Sequence, residues 1–269
     1  MFGTKIAKRV ISYLRKKNVN FIISYINLRR LIGILGILLP VVCFFGGWLR
    51  ASLPLQQSIS FYYHTNVRDY FVGVLVLVSL FLITYKGHEV RDNILTTITG
   101  FFGLGVVTFP CLLDKEIKTS IDCLLSTGVG CPIGFFQLNP ECSDNIHMIC
   151  SVFFFFLLAA NSYCLFTLTD ETKEMTDNKK KRNRVYKACG IVMGISLITL
   201  VILYKCFNKF VEENRIVFYL ETIMVVSFGV SWLVKGETFF RDPKSKKSKR
   251  NLKIAPTGRG SMYSSCGEY

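Results

Sequence analysis

Six stretches of the chain are apolar and nearly free of charge, and polar residues gather between them. They lie at about Leu31–Trp48, Tyr70–Tyr85, Ile94–Leu113, Ile146–Thr169, Ala188–Tyr204 and Ile216–Val234. Windows of this length and hydropathy read as membrane-crossing helices, and the pattern predicts an all-α, six-span transmembrane bundle. The second stretch is short: a run of about sixteen residues rises roughly 24 Å as a helix, against a hydrocarbon core of ~30 Å. It crosses fully only by drawing in its flanks. One flank carries His64, Arg68 and Asp69, and the other carries Lys86, His88, Glu89, Arg91 and Asp92. The fifth stretch is also short, and its neighbours favour a span over a buried helix.

Composition supports that reading and adds an orientation. Hydrophobic residues make up 51% of the chain and mean hydropathy is +0.38, yet the net charge is +15, so the charge is confined to loops and ends. Lys and Arg number eight up to Arg30, two in Lys86–Asn93, seven in 170–187 and nine from Lys235 onward. The three connections on the other side hold only seven between them. An imbalance that alternates with every span predicts that both termini are cytoplasmic.

Three regions follow. Residues 1–30 are basic and acid-free, with Ile6, Val10, Ile11 and Leu14 at helical spacing. They read as an amphipathic segment lying on an anionic leaflet, with a mitochondrial transit peptide as the alternative. Residues 31–237 form the membrane domain. Residues 238–269, rich in Lys, Ser and Gly, read as a disordered basic cytoplasmic tail. The basic runs DETKEMTDNKKKRNRVYK and RDPKSKKSKRNLKIAPTGRG abut span ends, so they predict topology and attraction to anionic lipid rather than nucleic-acid binding.

Small residues mark expected helix contacts. Pro40 and the Gly46-Gly47 pair lie in the first span, Gly100, Gly103 and Gly105 in the third, and Gly190 and Gly194 form a GxxxG in the fifth. The last pair serves packing within the bundle or a homo-oligomer. The connection from Asp114 to Asn145 holds Cys123, Cys131 and Cys142, and on an oxidising side one pair among them is expected to be disulfide-bonded. Cys111 and Cys150, at span ends, read as small apolar residues.

Sorting polar residues by side places Ser60, His64, Arg68 and Asp69 at the outer face, with His147 opening the fourth span there. Glu221 lies about five residues into the sixth span, roughly 7.5 Å below its outer end. A carboxylate at that depth needs a partner, and Arg68 is the nearest cation by depth, so Arg68, Asp69, His147 and Glu221 are expected to form one network. The same residue types permit three uses: a structural network, a ligand or transport site built from Ser60, His64, Arg68, Asp69, His147 and Glu221, or acid–base and metal chemistry at His64, Asp69, His147 and Glu221. No HxxxH or HExxH occurs. Asn161 reads as an interhelical hydrogen bonder. Thr97, Thr99 and Ser227 are the other polar residues on a possible path. At the inner face, His88, Glu89, Arg91 and Asp92 stand opposite Lys235 and Glu237 and read as salt-bridged anchoring.

The pieces SISFYYHTNVRDYFVG, YKGHEVRDN, GFFGLGVVTFP, the His147 start of the fourth span, RNRVYKACG and ETIMVVSFGVSWLVKGE together resemble a family of bacterial polytopic membrane proteins. That resemblance implies a multi-pass protein of a bacterial inner (plasma) membrane and carries no activity with it. More distantly, Ser60 and His64 are spaced like the serine and histidine of alkaline-ceramidase-like membrane hydrolases. Those use a zinc held by three histidines, two of them paired in a late helix, and this chain has no such pair. Two function classes result: a transporter or solute- or lipid-binding membrane protein with an outward polar site, and a membrane-embedded lipid hydrolase.

Overall fold

The structure is a computed structural model that describes residues 2–87, 90–112, 136, 138–168 and 175–240. Helix makes up 81% of it, with no β-strand among the described residues, so the chain is all-α. The helices are α1 (Phe2–Ala51), α2 (Arg68–Thr84), α3 (Val90–Thr108), α4 (Pro140–Ala160), α5 (Asp177–Cys206), α6 (Asn208–Glu213) and α7 (Ile216–Lys235). A 3-10 turn, Ser60–His64, precedes α2, and a π turn, Asn161–Leu165, extends α4.

Among the described residues, four helices are long and apolar enough to cross a membrane: Tyr25–Leu49 within α1, α4 with its π turn, α5 and α7. The other two are marginal for different reasons. α2 has 17 residues and α3 has 19, rises of about 26 and 29 Å, and α3 spends its first turn on Arg91 and Asp92. All six nevertheless pack as one ring, in the order α1, α2, α3, α4, α5, α7 and back to α1. The short α6 turns the chain between α5 and α7.

Local chemistry accounts for where the helices begin. Asn139 caps α4, accepting from the Glu141 amide at 3.0 Å, with Pro140 at the first position. Thr176 caps α5 in the same way, accepting from the Lys179 amide at 3.2 Å. The run DNKKKRNRVYK, read from sequence as a loop, is therefore the opening of α5. Lys and Arg have good helix propensity, and their long stems leave the charge outside. α1 likewise runs through Arg30 without a break, so the basic N-terminal residues share one helix with the first span, and Pro40 lies inside it.

Packing is closest where side chains are missing. A Cβ on Gly33 would lie 2.7 Å from the Gly229 carbonyl oxygen, and one on Gly229 would lie 2.6 Å from that of Gly33. Only hydrogen at both positions lets α1 and α7 approach backbone to backbone. Gly100 does the same for α3 against α2 at Ser79, and Gly190 for α5 against Ala159 and Tyr163. Gly190 is thus committed within the chain, whereas Gly194 faces open space. Where α7 ends, the inside of the ring is aromatic: Trp232 stands edge-on to Phe81, Tyr85 and Phe166, with ring centroids 5.1–5.2 Å apart.

Candidate functional site

One end of the ring is closed by the connection from Ser52 to Val67, and Glu221 holds it there. The carboxylate lies on the inward face of α7, buried, and its Oε2 accepts from the Ile59 amide at 2.6 Å; the Ser60 amide also donates to it. A reciprocal bond runs from the Phe218 amide of α7 to the Gln57 carbonyl at 2.9 Å. The open amides at the start of the 3-10 turn therefore find their acceptor one helix away. Tyr62, buried between Gly47 and Phe218, packs the same turn against α1 and α7. Desolvation pushes its phenol up to about 12.

Beside the carboxylate is a cavity of about 30 Å³, lined among others by Leu39 of α1, Ser60, Phe71 of α2, Val106 of α3, Ser151 of α4 and Glu221. Five of the six ring helices meet at it. The Ser151 hydroxyl is buried there with no hydrogen-bond partner. A buried hydroxyl facing a small cavity next to a carboxylate is a place for a polar guest.

The histidines are engaged elsewhere. His147 is buried on α4, and its Nδ1 donates to the carbonyls of Val106, at 3.0 Å, and Phe109, at 2.8 Å. The Ser143 hydroxyl donates to the Pro110 carbonyl at 2.8 Å, and His64 Nε2 donates to the Cys111 carbonyl at 2.8 Å. Asp144 accepts from the Leu112 amide at 2.8 Å. His147, Ser143 and His64 thus satisfy open carbonyls at and just past the end of α3, and Asp144 takes up an open amide there. Burial lowers the His64 pKa below its ordinary value, the nearby Arg68 and His147 lower it further, and the Cys111 bond opposes both. Both rings donate to backbone carbonyls, and no group of three or more His, Cys, Asp or Glu able to hold a metal occurs among the described residues.

The four-residue network expected from sequence does not form. Arg68 is exposed; its guanidinium donates to the Tyr63 hydroxyl at 2.8 Å and lies 4.4 Å over that ring. Asp69 is exposed in the first turn of α2, where a carboxylate favours the helix dipole. Depth alone suggested Arg68 for Glu221; backbone amides, which carry no signal in the sequence, took the place. Of the expected set, the structure brings together Ser60 with Glu221, and His64 with His147. Ser151 went unnoticed, its only signal being one hydroxyl in the run ICSVFFFF. Asn161 does bond between helices, donating to Thr99 Oγ1 at 2.8 Å from the π turn. Cys123 and Cys131 lie outside the described residues, and Cys142 carries an exposed free thiol. No protein family, curated protein or solved structure matches the chain.

Proposed function

We propose that the chain is a six-span membrane protein that binds a small polar solute, and passes it on, at the Glu221 cavity near the outer face. The reading of six spans, both termini cytoplasmic, rests on the closed ring of six helices and the alternating Lys/Arg imbalance. A bacterial inner membrane is the setting the sequence resemblance implies.

The observation that carries the binding reading is the buried carboxylate at a cavity shared by five helices, with the Ser151 hydroxyl unpartnered across it. A volume of about 30 Å³ admits a guest of roughly one or two waters. A carboxyl group beside an unpartnered hydroxyl suits a small cation or a solute rich in hydrogen-bond donors. A lipid headgroup or a hydrolytic reaction would need a wider opening, and neither His64 nor His147 lines this cavity.

The test is uptake of ammonium, sodium or potassium into liposomes reconstituted with the full chain. Uptake of one of them is expected, lost in Glu221→Gln and reduced at least tenfold in Ser151→Val, which fills the cavity. No uptake of any of the three, or uptake unchanged in both variants, would overturn the proposal.

A further inference from the structure

The end of the ring opposite Glu221 carries a second site, built from cations on an aromatic floor. Tyr85, Trp232 and Phe166 adjoin in series, Trp232 standing edge-on to both neighbours with centroids 5.2 and 5.1 Å away. Each outer ring of the series carries a cation. Arg29 of α1 lies 5.3 Å from the Tyr85 centroid and 4.4 Å over Tyr25, and donates to the Tyr85 hydroxyl at 3.3 Å. Lys235, closing α7, holds its ammonium 4.8 Å over Phe166.

Each cation keeps a donor without an acceptor. The Arg29 Nε is buried without an acceptor. The Lys235 ammonium, on a half-buried residue, has the Phe166 ring face and no carboxylate or carbonyl of a described residue. Lys179 and Arg182 of α5 add positive charge within electrostatic reach, against which Asp92 is the acid. Lys179 reaches the Phe166 carbonyl at 3.2 Å, and Arg182 the Phe240 carbonyl at 2.6 Å. A ring face satisfies part of a cation's attraction but accepts none of an ammonium's three hydrogen bonds. Two unpartnered donors, half withdrawn from water and surrounded by further cations, call for an anion.

We propose that Arg29 and Lys235 bind a phosphate group over the Tyr85–Trp232–Phe166 floor, presented by an anionic lipid headgroup or by soluble phosphate. Phosphate fits because its oxygens accept from both a guanidinium fork and an ammonium at once, which a planar carboxylate spans less readily. The lipid source has geometry in its favour: Lys235 is the last residue of an apolar crossing helix, at the depth where headgroups begin. The site shares no residue with the Glu221 cavity, so neither proposal depends on the other.

The test is thermal unfolding of the full chain in nonionic detergent at fixed ionic strength, with three probes: dioctanoyl phosphatidylglycerol, dioctanoyl phosphatidylcholine and inorganic phosphate. Phosphatidylglycerol is expected to raise Tm by about 3 °C or more, as a ligand of the folded state does, and phosphatidylcholine not to. Lys235→Met should lose that rise and Lys235→Arg should keep it. If Lys235→Met does not fold, Arg29→Gln is held to the same criterion. A rise with inorganic phosphate equal to that with phosphatidylglycerol assigns the site to soluble phosphate. No rise with either anion, or a rise as large in the variant lacking the cation, would overturn the proposal.

Discussion

The Ile59 amide meets Glu221 Oε2 at 2.6 Å, joining the connection before α2 to the second turn of α7 across 162 positions of sequence. This bond decides how Glu221 substitutions behave. Glu221→Ala strands the Ile59 and Ser60 amides in the interior, a loss of about 1–3 kcal/mol for each. Glu221→Gln keeps one carbonyl acceptor and should lose less. Arg68→Ala, which removes a part-buried hydrogen bond and ring contact with Tyr63, should cost about 1 kcal/mol, less than Glu221→Ala. The Glu221→Ala and Arg68→Ala effects should add within about 0.5 kcal/mol. Thermal unfolding in detergent of the two singles and the double checks this. Strong coupling would put Arg68 back beside the carboxylate.

The contrast between Glu221 and Arg68 shows what the sequence could reveal. Hydropathy exposed the helices, and cost identified Glu221 as a carboxylate in need of a partner. The partner was invisible because every residue has an amide, and only folding decides which amide is left open. The histidines misled for a related reason. Two of three histidines at one level suggested chemistry, but the end of α3 leaves carbonyls that a neutral imidazole satisfies well. Two helices begin earlier than the apolar stretches at Ile146 and Ala188, because the caps Asn139 and Thr176 each open a polar turn that hydropathy counts as connection.

Glycine substitutions should separate close packing from open surface. Gly229→Ala pushes a methyl group to 2.6 Å from the Gly33 carbonyl, and backbone cannot move aside as a side chain can. We expect a loss of about 1–3 kcal/mol. Gly194→Ala meets nothing within 4 Å and should gain up to about 1 kcal/mol from helix propensity. Melting temperatures in one detergent measure both. An equal loss at Gly194 would mean that this face is covered, as the homo-oligomer expected from Gly190 and Gly194 requires.

Topology is checked by labelling. A reporter at Tyr269 should read cytoplasmic and one near Gly130 should read outside, as the charge imbalance requires. Cys142, exposed and free, should react with a membrane-impermeant maleimide added from outside. Labelling of Cys142 only after reduction would restore the disulfide expected among Cys123, Cys131 and Cys142.

The remaining prediction concerns acid. His64 donates from Nε2 to the Cys111 carbonyl, and burial holds its pKa below the ordinary 6.5. At any pH near or under that value the unfolded chain therefore binds more protons at this position than the folded one. Stability rises with pH where the unfolded state is the more protonated. The contribution is thus fully present above pH 6.5 and is lost as pH falls from there toward the lower folded pKa. His64→Gln keeps an amide nitrogen able to donate to Cys111 but cannot titrate. Below about pH 6.5 the wild type should lose Tm more steeply than this variant, with the two curves parallel above pH 7. Parallel curves throughout would show that His64 does not titrate differently on folding, and that the end of α3 is held by Ser143 and His147 without it.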